Sequence, residues 1–331
     1  MIDSSLSLKT NQSPDSYVLP KITIITPSYN QGQYIEQTIQ SVIAQNYPNL
    51  EYIIIDGGST DNTVEIIKKY EQHLAYWVSE PDRGQTHAIN KGLVKATGDI
   101  IAYLNSDDYY LPHTFFEVAE HYNRFPDVDL FHGGCRYVNE RGDKIGEQWA
   151  NISKFEEIID LWGVWWQKRQ FVQPEVFWTK RITEKVGLFN EDLYFVMDYE
   201  YWCRILQNNG KVGKIDAELT CFRFTPEQKS NHSEKVAEEL LQVVRPLIWS
   251  SSTLIPFKQR LILQGRWLHQ AKLLQQIKDS VKNGDRRTVR WLKSIGVILH
   301  YPQILLVPSL FNRIVHWLLR LFYFNNKTKT V

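Results

Sequence analysis

Short apolar segments that end in polar clusters recur through the first 110 residues, and they constrain the fold more than any other feature. Lys21–Pro27 (KITIITP) and Glu51–Ile55 (EYIII) are rich in β-branched residues, which predicts buried strands. Each is followed by apolar residues at helical spacing, in Gln33–Ala44 and in Thr63–Tyr70. The sequence therefore begins with two strand–helix units.

Two further strands continue this alternation. Tyr76–Ser79 (YWVS) and Asp99–Leu104 (DIIAYL) lie on either side of a predicted helix at Thr86–Thr97. Strands that alternate with helices predict an open α/β sheet, whose ligands bind beyond the carboxyl ends of the strands. Polar clusters stand at three of these ends: Thr26–Asn30, Asp56–Gly58 and Asn105–Asp108. We therefore expect a ligand site on this edge of the sheet.

The cluster after the last of these strands contains two adjacent acids, Asp107 and Asp108, preceded by Ser106. Neighbouring carboxylates repel each other, and a hard divalent cation with oxygen ligands would offset that repulsion. A solvated turn with an Asx cap is the alternative. The position at the end of an apolar strand favours metal binding.

The cluster after the second strand reads Asp56-Gly57-Gly58-Ser59. Two glycines permit positive φ angles and a close approach of a ligand, and the Asp56 carboxylate could accept a hydrogen bond from a base or a ribose. An ordinary strand–helix turn with a capping Ser or Thr is the alternative.

A third candidate lies in a predicted helix near Asp198–Gln207. Asp198 and Glu200 are two positions apart, so they point about 200° away from each other and cannot both face one cleft. Trp202 shares the face of Asp198. One carboxylate beside an aromatic wall suits a general base next to a sugar-like acceptor, and a surface acid above a core tryptophan is the alternative.

Missing motifs exclude several classes of enzyme. The sequence has no GxGxxG, GxxxxGK[ST], GxSxG or HExxH pattern. Its three cysteines are far apart and lack CxxC spacing, which argues against a disulfide framework or a zinc ribbon and fits a reducing compartment.

Taken in order, these segments resemble the GT-A-fold glycosyltransferases of family 2, of the bacterial glycan-assembly type. The matching stretches are ITIITPSYNQGQYIEQTIQSVIAQNYPNLEYIIIDGGSTDNT, SEPDRGQTHAINKGLVKATGDIIAYLNSDD, QPEVFW and VMDYEYWCRI. The resemblance implies an α/β GT-A domain, which we place at residues 21–230. The polar, Ser-rich residues 1–20 predict a flexible leader, and residues 231–331 are predicted to form a helical, basic and amphipathic region. The resemblance also implies inverting transfer of a sugar from a nucleotide-diphosphate sugar to a hydroxyl of a glycan or lipid-linked acceptor.

The same resemblance implies roles for individual residues. Thr26, Pro27, Tyr29 and Asp56 would frame the base and ribose of the donor, and Arg83 would lie by the base or the diphosphate. Asp107 would face the ribose and Asp108 would bind Mg²⁺ or Mn²⁺, as a DxD-type pair. Asp198 would deprotonate the acceptor hydroxyl. Asn105 stands where many relatives carry another acid, which weakens a site made of three carboxylates.

The charge of the chain is unevenly distributed. Residues 251–331 contain 14 Lys and Arg against two acids, a net charge of +12, while the first 250 residues carry −11. Ile295–Phe311 has no charged residue but contains Pro302 and Pro308, which disfavours a transmembrane span of about 20 residues. Basic segments rich in aromatic residues fit a helix lying on an anionic membrane surface, and a helical cap on the catalytic domain is the alternative.

The sequence thus predicts a cytoplasmic glycosyltransferase, peripheral on the inner face of the cell membrane through residues 251–331. Because the tail is as apolar as it is basic, nucleic acid is not an expected partner. A transferase that acts on a polyprenyl phosphate is one alternative function. A non-catalytic nucleotide-sugar-binding or scaffold protein is the other, and the clustered carboxylates argue against it.

Overall fold

The computed structural model describes residues 19–226, 228–229, 232–251 and 255–282. The leader predicted at 1–20, apart from its last two residues, and the apolar stretch Ile295–Phe311 lie outside these residues.

Nine strands of the described residues form one sheet. They are β1 (Ile22–Ser28), β2 (Leu50–Asp56), β3 (Tyr76–Ser79), β4 (Ile100–Tyr103), β5 (Tyr109–Tyr110), β6 (Leu130–Val138), β7 (Lys144–Trp149), β8 (Val176–Thr179) and β9 (Val212–Arg223). The helices are α1 (Ile35–Ile43), α2 (Thr63–Lys69), α3 (Gln85–Lys95), α4 (Thr114–Arg124), α5 (Phe155–Ile158), α6 (Lys180–Val186), α7 (Met197–Gln207), α8 (Ser233–Ile248) and α9 (Phe257–Lys282).

The sheet has a parallel half and a mixed half. Strands β3, β2, β1 and β4 are parallel neighbours in that order. The order continues through β8, β6, β9 and β5, with β8 antiparallel to β4 and to β6, β9 parallel to β6, and β5 antiparallel to β9. Strand β7 pairs with β6 beyond the end of β8. The parallel half therefore brings the ends of β1, β2 and β4 to one edge.

The parallel strands are apolar because helices cover the sheet. Every residue of β1 and β4 is buried, as a parallel sheet covered on both faces requires. Helix α3 packs so closely on β1 that a Cβ atom on Gly92 would lie 2.4 Å from Cγ2 of Ile25. A glycine at this position is what allows α3 to approach the sheet.

The predicted elements of the first 110 residues agree with the structure to within about two residues at each end. The expected strand Lys21–Pro27 is β1, which continues to Ser28, and the expected helix Thr86–Thr97 is α3, which begins one residue earlier and ends two residues earlier. The predicted fold class is confirmed, since the described residues form an open, mixed α/β sheet followed by helices.

The described part of the C-terminal region consists of α8 and α9, which pack on each other and on the sheet domain. The indole Nε1 of Trp267 donates to the carbonyl of Leu241 at 2.8 Å, and Arg266 forms an ion pair with Asp160. None of the helices in the described ranges has both the length and the hydropathy needed to cross a bilayer.

Candidate functional site

Asp56 ends β2 and organises the turn that follows. Its carboxylate is fully buried. Oδ2 accepts hydrogen bonds from the amides of Gly58 and Ser59 and from the hydroxyl of Ser79, at 3.1, 2.9 and 2.6 Å, and Oδ1 accepts the Ser59 hydroxyl at 2.5 Å. These four contacts give Asp56 a structural role in the turn. The N-cap of α2 is Asn62, without a side-chain cap hydrogen bond, so the capping Ser or Thr of the alternative interpretation is not observed there. The contact of Asp56 with a base or ribose remains a prediction.

The loops after β1 and β2 are joined by hydrogen bonds. The amide of Asn30 donates to the Ser59 hydroxyl at 2.7 Å, and Oδ1 of Asn30 accepts the amide of Thr60 at 2.9 Å. Asn30 adopts a positive φ of 52°, which asparagine tolerates better than most residues. These hydrogen bonds hold the two loops together beside the carboxyl ends of β1 and β2.

The predicted base-binding residues of β1 differ in their exposure. Thr26 is buried, and its hydroxyl lies 3.1 Å from the hydroxyl of Tyr52. Pro27 is also buried, whereas Tyr29 is 60% exposed. Only the last of these three side chains presents a large surface to a ligand, while the first two shape the end of the strand.

Arg83 lies in the loop between β3 and α3 and is exposed. Its Nε and Nη2 atoms donate to Oε2 of Glu191, at 3.2 and 2.6 Å. This ion pair holds the guanidinium at the rim of the edge, where exchange of the carboxylate for a phosphate would require little rearrangement of the loop.

Asp107 and Asp108 lie in the turn after β4. Oδ1 of Asp108 accepts the amide of Arg223 at 2.8 Å, whereas Oδ2 is buried and has no hydrogen-bond partner among the described residues. Burial and the neighbouring Asp107 carboxylate raise the pKa of Asp108 well above its usual range. Burial also raises the pKa of Asp107, although Arg223 acts in the opposite direction. The two carboxylates act on each other, and Oδ2 of Asp108 lacks a hydrogen-bond partner among the described residues, as expected of a pair that binds a cation.

Arg223, at the end of β9, is a buried cation that the sequence analysis missed. Its Nε donates to the carbonyl of Asp107 at 2.9 Å, and Nη2 donates to Oε1 of Gln37 at 2.5 Å. The guanidinium carbon lies 5.0 Å from the ring centroid of Tyr34 and 5.4 Å from that of Tyr109. Arg223 thus holds the turn of the acid pair and supplies positive charge beside it, which explains how two adjacent acids are tolerated at the end of a buried strand.

Asn105 connects the acid pair to its neighbours through side-chain amides. Its Oδ1 accepts Nε2 of Gln85 at 2.6 Å, and its Nδ2 donates to Oε1 of Gln173 at 3.0 Å. Nε2 of Gln173 then donates to the carbonyl of Tyr103 at 2.6 Å. Because the residue at 105 must both donate and accept, an amide fits here and a carboxylate does not.

Asp198 lies in the first turn of α7. Burial raises the pKa of Asp198 to about 6, against the hydrogen bond from the Tyr199 amide, which Oδ1 of Asp198 accepts at 2.7 Å. Burial raises the pKa of the Tyr103 hydroxyl, and the charges of Asp198 and Asp108 raise it further. The structure therefore brings the predicted base and the predicted metal ligand close enough to Tyr103 for the charge of each to act on its hydroxyl.

The other residues of α7 lie as the helix geometry predicts. Glu200 points away from Asp198 and forms a bidentate ion pair with Arg204, at 2.7 and 2.9 Å. Trp202 is buried, and its ring lies edge-on to Phe171 at a centroid distance of 5.5 Å. Trp202 is thus a core residue next to the acid, as in the alternative interpretation, and does not form an open aromatic wall.

Glu239 of α8 is a second residue that the sequence analysis missed. Its carboxylate accepts the amides of three consecutive residues at 2.9, 2.6 and 2.8 Å: Tyr194, Phe195 and Val196. These residues lead directly into α7. The first C-terminal helix therefore fixes the segment that carries Asp198.

Aromatic side chains of QPEVFW and of Leu161–Trp166 (LWGVWW) could offer a platform to a sugar, but three of them lie in the core. Phe177 and Trp178 of the QPEVFW motif are 0% and 1% exposed, and Trp162 of the LWGVWW run is 6% exposed. An aromatic platform for a sugar is therefore not formed by these three side chains.

Asp107 and Asp108 are the residues that could hold a metal ion. The described residues contain no cluster of three or more His, Cys, Asp or Glu side chains placed to bind one. The unpartnered Oδ2 of Asp108 and the adjacent Asp107 carboxylate nevertheless suit a hard cation that takes its other ligands from a bound molecule.

The chain is similar in sequence to known glycosyltransferases. The profile of glycosyl transferase family 2 matches residues 23–184. An uncharacterised glycosyltransferase of Rickettsia conorii is 28% identical over 229 residues, which cover 65% of this chain and 36% of that protein. One from Methanocaldococcus jannaschii is 25% identical over 227 residues, covering 67% of this chain and 76% of that protein. The chain spans less than half the length of several of its curated relatives.

Solved structures show the same fold. Residues 1–349 of S. aureus TarS in complex with UDP-GlcNAc superpose with a TM-score of 0.59 at 17% identity, covering 76% of this chain and 72% of that chain. A mannosyltransferase of Pyrobaculum calidifontis in complex with GDP-Man and Mn²⁺ gives a TM-score of 0.57 at 19% identity, covering 90% and 86%. By its sequence profile and its relatives, the domain over residues 23–184 belongs to glycosyl transferase family 2.

Proposed function

We propose that this chain transfers a sugar, with inversion, from a nucleoside-diphosphate sugar to a hydroxyl group of a glycan or lipid-linked acceptor. The observation that carries the proposal is that Asp108, in the turn after β4, and Asp198, in the first turn of α7, both lie close enough to Tyr103 to raise its pKa. One carboxylate then serves the leaving group and the other serves the acceptor.

The donor would bind across the ends of β1, β2 and β4. Tyr29 and the Asp56 turn would contact its base and ribose, beside the buried Thr26 and Pro27. Arg83 would exchange its partner Glu191 for a phosphate oxygen or the base. These roles are supported by the position of each residue on one edge of the sheet and by the family of the chain.

Mg²⁺ or Mn²⁺ would be held by Asp108, with Asp107 beside it and turned towards the ribose. When bound, such an ion stabilises the negative charge that develops on the leaving diphosphate. The chain itself contributes the orientation of the pair, because Arg223 binds the carbonyl of Asp107 and the carboxylate of Asp108 from one side.

Asp198 would act as the general base. The bond between the anomeric carbon and the diphosphate oxygen breaks, and its electron pair remains on the diphosphate. The acceptor oxygen forms the new bond from the opposite face and gives its proton to Asp198. A carboxylate whose pKa is raised to about 6 is ionised at neutral pH and is a stronger base than an ordinary aspartate.

Asp198→Asn tests this assignment. We expect turnover with the matching donor to fall by roughly 10²–10⁴-fold, the usual contribution of a general base. Binding of UDP or GDP in the presence of Mn²⁺, measured by calorimetry, should be unchanged. Asp192→Asn, at an exposed position on the preceding loop, is the matched control. Full turnover by the Asp198 variant would refute the assignment, and nucleotide binding without turnover in the native chain would favour the scaffold function.

We also propose that α9 contacts an anionic membrane surface from the cytoplasmic side. Helix α9 carries six Lys and Arg and one acid. Phe257, Leu261 and Leu268 lie within about 40° of one another on its surface and are 68%, 50% and 45% exposed. The indole of Trp249, 47% exposed, lies 6.2 Å from the ring of Phe257. An apolar stripe on a basic helix suits insertion among anionic headgroups.

Co-sedimentation of the full chain with phosphatidylglycerol or phosphatidylcholine vesicles tests the membrane contact. We expect binding to the anionic vesicles only, and a loss of most of it in Phe257→Ser/Leu261→Ser. Leu188→Ser removes a 46% exposed apolar side chain elsewhere and should leave binding intact. Equal sedimentation of all variants would reject the contact through α9.

A further inference from the structure

Lys229 is a half-buried cation that follows β9. Its Nζ lies 3.0 Å from Oε1 of Gln85 and 4.0 Å from the centroid of the Tyr194 ring. Among the described residues no carboxylate forms a salt bridge with it. An ammonium group that is partly removed from water is stabilised by a nearby negative charge, so this position suits the binding of an anion.

Two acids among the described residues act on Lys229, and both are engaged elsewhere. Glu239 and Asp82 both favour the charged form of Lys229, although burial lowers its pKa overall. The carboxylate of Glu239 accepts three backbone amides before α7, and Oδ1 of Asp82 accepts the amide of Gly84 at 2.7 Å. Neither acid moves to the lysine without leaving backbone donors unpaired.

The location of Lys229 is fixed relative to the acid pair. The chain leaves β9 at Arg223, whose amide is bound by Asp108, and the side chain of Gln228 returns to the carbonyl of Arg223. Gln85, which accepts from Lys229, also donates to Asn105, the residue two positions before Asp107. A single glutamine side chain therefore separates the ammonium group from the loop that carries the two acids.

Lys229 also faces the segment that leads to the base. Tyr194, whose ring lies under the ammonium, is four residues before Asp198. Of the two phosphates of a donor that spans the edge, the β-phosphate carries the sugar and must lie nearer to Asp198. Through Tyr194 the ammonium group lies beside the segment that leads to Asp198, where the β-phosphate is the expected phosphate.

We propose that Lys229 binds the β-phosphate of the donor and stabilises the nucleoside diphosphate as it leaves. This inference rests on the proposed function. As the bond to the anomeric carbon breaks, the electron pair stays on the β-phosphate oxygen and that phosphate gains one negative charge. A hydrogen bond from Lys229 strengthens as this charge grows, which lowers the barrier to transfer.

Calorimetric titration of the full chain with UDP, UMP, GDP and GMP, each with Mn²⁺, tests the inference. The native chain should bind the diphosphate of one base more tightly than its monophosphate. Lys229→Met should weaken that diphosphate by about 10- to 100-fold, the usual effect of losing a charged hydrogen bond, and weaken the monophosphate by less than about threefold. Lys229→Arg should recover part of the loss, and Lys180→Met, at an exposed lysine of α6, should change neither affinity.

The outcomes separate the inference from the function on which it rests. Unchanged diphosphate affinity in Lys229→Met would overturn the inference while leaving nucleotide binding intact. An equal loss for diphosphate and monophosphate, with a lower melting temperature, would overturn it as well, because it would make Lys229 a packing residue of Tyr194. Absence of nucleotide binding by the native chain would instead refute the proposed function.

Discussion

Replacing Asp198 by Asn should stabilise the protein while it abolishes turnover. Burial raises the pKa of Asp198 from 3.8 to about 6. Between these two pH values the folded chain holds a proton that the unfolded chain has lost, so folding becomes less favourable as the pH rises. Above pH 6 the ionised carboxylate destabilises the folded chain by the full amount. A pKa shift of this size corresponds to about 3 kcal/mol in the free energy of unfolding. Asparagine stays neutral and can still accept the hydrogen bond from the Tyr199 amide.

Urea unfolding of the native chain, Asp198→Asn and Asp192→Asn at pH 8 and pH 4 measures this effect. At pH 8 the Asp198 variant should unfold with a free energy larger by about 2–3 kcal/mol, and at pH 4 its advantage should shrink to less than about 1 kcal/mol. The exposed Asp192 control should match the native chain at both values. A variant at position 198 that is no more stable at pH 8, or whose gain is independent of pH, would refute the assignment of a buried, charged Asp198.

Three further predictions concern packing and polar contacts. Asn105→Asp should lower stability by about 1–3 kcal/mol in urea unfolding and should not tighten Mn²⁺ binding, because a carboxylate cannot donate to Oε1 of Gln173. Burial raises the pKa of Glu51, but hydrogen bonds from Lys21, Thr23 and Thr97 lower it by more, to about 2. Glu51→Gln should therefore lower the free energy of unfolding by about 2 kcal/mol at pH 7. The difference from the native chain should vanish as the pH falls from about 4.5 to 2. Gly92→Ala should lower the melting temperature, with a loss of about 1–3 kcal/mol, since its Cβ would overlap Ile25; an unchanged melting temperature would show that α3 can move.

The strands and helices up to β4 could be predicted because their signals are local. Runs of isoleucine between polar turns mark β1 and β2 within a few residues of sequence, and the acids at their ends are adjacent to those runs. The mixed half of the sheet gave no such signal. Strands β6 to β9 are short or alternate irregularly, and their pairing depends on contacts between distant segments.

The site could be predicted only in part, for the same reason. Asp108 and Asp198 stand in recognisable motifs, whereas Arg223 and Lys229 are isolated basic residues in a segment without a pattern. Arg223 binds Asp108 across 115 residues, and Lys229 binds Gln85 across 144. The hydrogen bonds of Asp56 were not predicted, because one of its three partner residues is Ser79 of a different strand, which the turn sequence alone does not contain.

The contact between Arg223 and the turn of Asp107 and Asp108 has a consequence for synthesis. A nascent chain that has emerged as far as Asp108 already contains all four strands of the parallel half and both acids of the pair, but not the arginine that compensates them. Domains fold as units while the ribosome adds about 5–20 residues per second. The acid pair is therefore without its cation for several seconds after β4 emerges, until β9 pairs with β6. A fragment that ends before residue 223 should keep strands β1 to β4 but lose the order of the turn that carries Asp107 and Asp108. The donor site is therefore complete only after β9 has joined the sheet.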